Sequence, residues 1–191
     1  MMQPATDEPN DGWGALSALP GNPMIWILII SELAVFGAAL VGFMVMRILN
    51  PATFTAGQAT LDYWLGGLNT MFLITSGWLA ALAVLAREQN ARQLARLRLL
   101  GSGLLGIGFL TVKIFEWGGK LAQGHDLESD AFFTLFYLIT GFHAAHVIMG
   151  LAILVIISVW DSLENMKTGT AFWHMVDLIW LVIFPTIYLV R

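Results

Sequence analysis

No cysteine occurs anywhere in the chain. That absence excludes disulfides, cysteine-ligated iron–sulfur clusters, thioether-attached haem and the thiolate-bridged copper of electron-transfer sites. Charge is almost as scarce: Asp, Glu, Lys and Arg make up 12% of the 191 residues. No basic run offers a footing for nucleic acid, and the formal charge is only −4. The opening MMQPATDEPNDGWGALSALPGNP holds no Lys or Arg, so it lacks the basic region that starts a secretory signal. Rich in Pro, Gly and Asp, Met1–Pro23 reads as a flexible tail kept on the protein.

What remains is apolar. Hydrophobic residues reach 58% and the mean hydropathy is +0.75, outside the range of ordinary soluble domains. Five segments are long enough to cross a hydrocarbon core, which takes about 20 residues of helix. They run over Met24–Met46, Trp64–Ala86, Leu99–Trp117, Phe132–Trp160 and Phe172–Val190. Asn22-Pro23 and Asn50-Pro51 bracket the first, as helix boundaries do. Trp26, Trp64, Trp117, Trp160 and Trp173 fall at the segment ends, where indole prefers the membrane interface. The expected fold is an all-α polytopic membrane protein, one bundle of five transmembrane helices over residues 24–191. No internal repeat suggests an inverted transporter architecture.

Orientation follows from Lys and Arg. The loop AREQNARQLARLR between the second and third spans carries Arg87, Arg92, Arg96 and Arg98, whereas the other loops hold Arg47, Lys120 and Lys167 singly. The positive-inside rule then places both this loop and the amino terminus in the cytoplasm and the carboxyl terminus outside. Small residues at helical spacing, Ala34/Ala38/Gly42, Gly101 to Gly108 and Gly141/Ala145, are expected to act as packing seams.

Seven ionisable residues lie inside the spans: Glu32, Lys113, Glu116, His143, His146, His174 and Asp177. Each is costly at that depth and is therefore a candidate for a role. Glu32 sits among Leu28, Phe36, Ala39 and Phe43 on its helix row, which predicts a buried carboxyl that serves either as a satisfied cross-link or as a lipid contact and proton-relay element. His143 and His146 share one face by their three-residue spacing, as do His174 and Asp177. Depth counting predicts that Glu32, His146, His174 and Asp177 meet in the cytoplasmic half, with His143 part of the same buried polar cluster. Lys113 and Glu116, toward the outer end of the third span, are expected to pair with each other. The cluster could be a metal site of a small intramembrane enzyme using Glu32, His146, His174 and Asp177. Di-metal bundles, however, use Glu-x-x-His on each of two helices, and here His-x-x-His and His-x-x-Asp occur once each. Satisfied polar cross-links are the expected reading, with no metal bound.

Five stretches in order resemble subunit III of the haem–copper oxidases: IISELAVFGAALVGF with Glu32, LGGLNTMFLITSGW with Asn69 and Thr70, KIFEW with Glu116, GFHAAHVIMG with His143 and His146, and FWHMVDLIWLVIFPTIYL with Trp173, His174, Asp177 and Trp180. The mitochondrial-type subunit has seven helices, and this chain lacks the first two. Five-helix versions occur among quinol-oxidase third subunits and in the accessory protein of nitric oxide reductase, whose ending is similar to Pro185 through Arg191. The resemblance implies a non-catalytic subunit of a respiratory electron-transport complex in the bacterial cytoplasmic membrane. It would pack on a catalytic haem–copper subunit, bind phospholipid, stabilise the complex and support proton uptake or assembly. It would carry no haem or copper of its own; haem with copper or iron would sit in the partner.

The topology is open to a direct check. Reporter fusions after Arg98 and after Arg191 are expected to report opposite compartments, with the Arg98 fusion cytoplasmic. Activity of both on one side of the membrane would overturn the orientation.

Overall fold

The computed structural model describes residues 23–190. The tail expected before Met24 lies outside them, Pro23 apart. Six α-helices follow among the described residues: α1 (Pro23–Leu49), α2 (Pro51–Ala59), α3 (Tyr63–Glu88), α4 (Arg92–Ala122), α5 (Ala131–Val159) and α6 (Leu163–Phe184), the last running into a π-helical turn over Pro185–Leu189. All but α2 are long and apolar enough to cross a membrane. The N-terminal ends are written into the sequence. Asp62 accepts from the backbone N–H groups of Trp64 and Leu65, Asp130 from Phe133 and Ser162 from Asn165, each supplying an acceptor to donors the helix cannot satisfy itself. Pro51 opens α2, where its missing N–H costs nothing.

Helix and apolar segment are not the same length. Hydropathy places the third span at Leu99, yet α4 begins at Arg92, and α6 begins nine residues before Phe172. Arg and Lys are good helix formers whose long stems let the charge reach the interface, so the helices continue past the apolar stretch. The Arg-rich "loop" is in fact two helix ends and a tight turn. Asn90 takes the left-handed φ of 58°, which Asn tolerates, and Ala91 N–H bonds back to Ala86 O at 2.9 Å. Arg87 Nε donates to Asp161 O at 2.6 Å and Arg96 pairs with the Asp161 carboxylate at 3.5 Å, tying this turn to the one between α5 and α6.

α6 is the axis of the bundle, packed against α1, α3 and α5, while α4 closes the far side over α3 and α5. Trp173 is its keystone and corrects the sequence reading. It is fully buried, not interfacial, because α6 starts ten residues earlier. Its ring lies where side chains on Gly106 of α4 and Gly150 of α5 would stand, since a Cβ there would come within 2.8 and 2.6 Å of the indole. The indole N–H donates to Ser76 Oγ at 3.0 Å, and Ser76 Oγ donates in turn to Ser102 O at 2.7 Å. Trp64 and Trp160, 76% and 64% exposed at helix ends, occupy the boundary positions expected of them. The small-residue row Ala34/Ala38/Gly42 faces outward on α1, and a Cβ at Gly42 would meet nothing. The close approaches fall instead at Gly57, Gly66, Gly77, Gly106, Gly150 and Gly169, where an added Cβ would come within 3.0 Å of a neighbouring side chain.

The opposite end is knitted by side chains reaching carbonyls. Gln58 Nε2 donates to Ile187 O at 2.7 Å and Val190 O at 2.8 Å, Arg47 also reaches Val190 O, and Lys120 reaches Thr60 O. Pro185 brings no N–H, and the helix widens so that Val190 N–H bonds to Pro185 O at 2.9 Å. Gly150→Val is expected to overpack the Trp173 seat and destabilise by about 1–3 kcal/mol. Thermal unfolding in detergent would show the loss, and adding Trp173→Leu should recover part of it. Wild-type unfolding of Gly150→Val would mean that Trp173 does not sit there.

Candidate functional site

The ionisable residues inside the bundle resolve into separate groups, not one cluster. The first bridges α1 and α5. His146 Nδ1 lies 2.9 Å from Phe142 O, and Nε2 lies 3.1 Å from Glu32 Oε2. A carbonyl only accepts, so Nδ1 carries a proton. Nε2 then either accepts from a protonated Glu32 or, as imidazolium, donates to a carboxylate. In both cases one proton is shared along a single hydrogen bond. Phe36 and Phe142 flank the imidazole at 5.3 and 4.6 Å between centroids. Glu32 is not buried as its apolar row suggested: its side chain is 22% exposed, because α1 is the most peripheral span.

The second group is on α6. His174 Nδ1 stands 3.9 Å from Asp177 Oδ2, too far for a hydrogen bond. Asp177 presses on α3 where a side chain at Gly77 would collide with its carboxylate, and neither of its oxygens has a protein partner. His143 stands alone. Fully buried, it stacks on Trp180 at 5.3 Å and meets Phe109 edge-on at 5.5 Å, with both ring nitrogens unpartnered. The expected meeting of Glu32, His146, His174 and Asp177 fails for a geometric reason. His146 lies mid-way along α5 facing α1, while His174 and Asp177 face α1's other flank and α3. Among the described residues no three His, Cys, Asp or Glu side chains form a metal-ligating group, so the four-residue metal centre is not assembled.

Lys113 and Glu116 of α4 do meet, at 2.7 Å, and both are buried. Lys113 Nζ also donates to Tyr188 Oη at 2.7 Å, and the Tyr188 hydroxyl donates to Glu116 at 2.8 Å. The ammonium lies over Phe136, Trp180 and Tyr188 at 4.9–5.3 Å from their centroids, a cation–π enclosure that compensates for lost water. Sequence spacing finds the i,i+3 pair but not Tyr188, seventy-two residues beyond Glu116. The Ser76–Ser102 link escapes sequence spacing for the same reason; a tyrosine or serine inside an apolar run is the signal available. Outside the spans, the Ser129 hydroxyl and the Glu128 N–H hold the Asp126 carboxyl below the usual carboxylate range.

The architecture is that of a polytopic membrane subunit whose internal polar groups cross-link helices. The chain belongs to the cytochrome c oxidase subunit III family, whose model matches residues 24–190. It is 31% identical over 181 residues to the heme-copper oxidase subunit I+III of Aeropyrum pernix, covering 87% of this chain and 22% of that protein. It is 27% identical over 173 residues to cytochrome c oxidase subunit 3 of Synechocystis, covering 85% of this chain and 72% of the relative. It is 22% identical over 176 residues to the probable quinol oxidase subunit 3 of Staphylococcus saprophyticus, covering 86% of each. This chain thus spans about a fifth of the archaeal protein's length and most of the other two.

Removing one member of the buried ion pair leaves an unpaired charge, which is expected to cost about 3–5 kcal/mol. Lys113→Met and Glu116→Leu should each sharply lower the unfolding temperature. The double variant should be milder than the sum of the two. Strict additivity would show that the pair is not coupled.

Proposed function

We propose that this chain is the non-catalytic third subunit of a haem–copper oxidase, seated in the bacterial cytoplasmic membrane against the catalytic subunit, with its Arg-rich turn on the cytoplasmic side. The observation that carries the reading is the Aeropyrum relative, in which a sequence alignable with 87% of this chain shares one polypeptide with a subunit I. Two parts joined in one chain work side by side. The polar interior agrees, because Lys113, Glu116, Tyr188, Ser76, Ser102 and Trp173 bond to one another across helices and converge on no open site.

Lipid binding and support of proton uptake centre on Glu32 in this reading. It is partly exposed at the bundle surface and lies 3.1 Å from His146 Nε2, so a carboxyl and an imidazole stand in contact within reach of lipid. Service to a cytochrome c or quinol oxidase is favoured by the names and lengths of the relatives. Association with nitric oxide reductase is a second reading, resting on the resemblance of the segment around Pro185 to that accessory protein.

Affinity capture of the tagged chain from its own membranes in mild detergent is expected to bring down a haem–copper catalytic subunit in stoichiometric amount. An oxidase and a nitric oxide reductase are told apart by their subunits and spectra, and recovery of no haem protein would overturn the proposal. In the intact complex, Glu32→Gln should slow proton uptake while the subunit stays bound. Unchanged uptake would leave Glu32 as a structural cross-link only.

A further inference from the structure

We propose that the groove between α4 and α5 holds an anionic phospholipid, its phosphate on Arg96 and one acyl chain along the two helices. The groove runs from Arg96 and Ser158 at the arginine-bearing end of the bundle to Ile107 and Leu151, with Gly103 and Leu154 between them. From Arg96 to Ile107 is about 16 Å of helix at 1.5 Å per residue, and every lining residue of α4 beyond Arg96 is apolar. Gly103 leaves the floor open, since a Cβ there would stand 3.9 Å from Leu151. This is a site apart from Glu32. It lies on the flank of α5 that faces α4, whereas Glu32 and His146 meet on the flank that faces α1.

The charge at the head of the groove selects its occupant. Arg96 is 53% exposed, and its one polar partner among the described residues is Asp161 Oδ2 at 3.5 Å, long for a charge-assisted hydrogen bond. A guanidinium carries five N–H donors in a planar fork, so most of them remain for an external anion. Arg92 lies one turn earlier on the same side of α4, exposed and without a partner among the described residues. At this end of the bundle the described cations Arg87, Arg92, Arg96, Arg98 and Lys167 outnumber the acids Glu88, Asp161 and Glu164. α4 also starts with no side-chain cap and no acid in its first turn, so the helix dipole adds to the positive field. A phosphodiester presents paired acceptor oxygens to the fork, and its ester-linked chain then enters the groove. A zwitterionic lipid has the same phosphate but brings its own cation to a corner already in positive excess. Depth agrees, because Trp160, 64% exposed at the end of α5, marks the level at which headgroups lie.

The inference rests on the membrane fold alone, so its failure would leave the oxidase assignment standing. The test uses the full chain, with the subunits that accompany it, in phosphatidylcholine vesicles doped with a phosphatidylglycerol that carries a diazirine in one acyl chain. After photolysis, labels mapped by mass spectrometry are expected on residues 99–107 and 151–158. Excess unlabelled phosphatidylglycerol should suppress them, and excess phosphatidylcholine or inorganic phosphate should not. Arg96→Gln removes a charge-assisted hydrogen bond and should weaken the competition about tenfold. Gly103→Leu fills the groove while keeping Arg96 and should abolish labelling of both segments, with thermal unfolding in detergent showing that the chain is folded. Should Gly103→Leu fail to fold, Arg96→Gln decides alone. Equal suppression by phosphatidylcholine, displacement by inorganic phosphate, labels confined to the Glu32 flank, labels insensitive to both variants, or crosslinking of the groove to another subunit's helix would each overturn the inference.

Discussion

The bundle depends on a tryptophan set among glycines. Trp173 fills the space that side chains at Gly106 and Gly150 would take, and its N–H reaches Ser76 on α3. Four helices therefore meet at one side chain. In lipid there is little hydrophobic gain from bringing helices together, so packing and a few hydrogen bonds must suffice. A large flat ring in a notch supplies dispersion contact over its whole surface, and its single polar atom fixes the register of α6 against α3. The next turn repeats the arrangement more weakly, with Asp177 against Gly77, and one turn further Trp180 donates to Thr70 at 3.1 Å. Register set by Trp173 thus determines where Asp177, His174 and Trp180 fall.

Much of this was legible in the sequence, and the boundary between what was and was not is physical. Five spans follow from apolar length, and Asn50-Pro51 marks the end of the first, where α1 stops at Leu49. The Lys113–Glu116 pair follows from helical spacing. What is not legible is anything that needs the relative rotation of two helices. Tyr188 completes the Lys113 enclosure from another helix. Depth counting puts His146 level with His174 and Asp177, but depth says nothing of rotation, and α5 turns His146 to Glu32 of α1. Trp173 was read as interfacial because hydropathy marks the membrane and not the helix, and α6 continues well past the apolar stretch. The outward face of Ala34, Ala38 and Gly42 shows that a small-residue row permits close packing without requiring it.

The separation of the polar groups bears on the choice between enzyme and accessory subunit. A catalytic centre needs several groups aimed at one reacting atom. Here Glu32 and His146 spend their geometry on each other, Lys113, Glu116 and Tyr188 close on themselves, and His143 is wrapped in aromatic rings. Each of these groups cross-links helices or fills the interior, while among the seven ionisable residues described inside the spans Glu32 and His174 reach the bundle surface, at 22% and 46% exposure.

The closed Lys113–Glu116 pair has a consequence for how the chain enters the membrane. α4 is synthesised before α6, so Lys113 meets the bilayer while Tyr188 does not yet exist. A lone lysine or carboxylate at mid-helix adds about 2.5–3.5 kcal/mol to insertion. Because the two charges lie three residues apart on one helix, at 2.7 Å, α4 can partition as an internally neutralised segment without waiting for a later helix. Tyr188 then arrives as a finishing hydrogen bond, not as a rescuer of a stranded charge. Biogenesis can therefore proceed helix by helix, with the final lock applied only when α6 slides into the groove left for it.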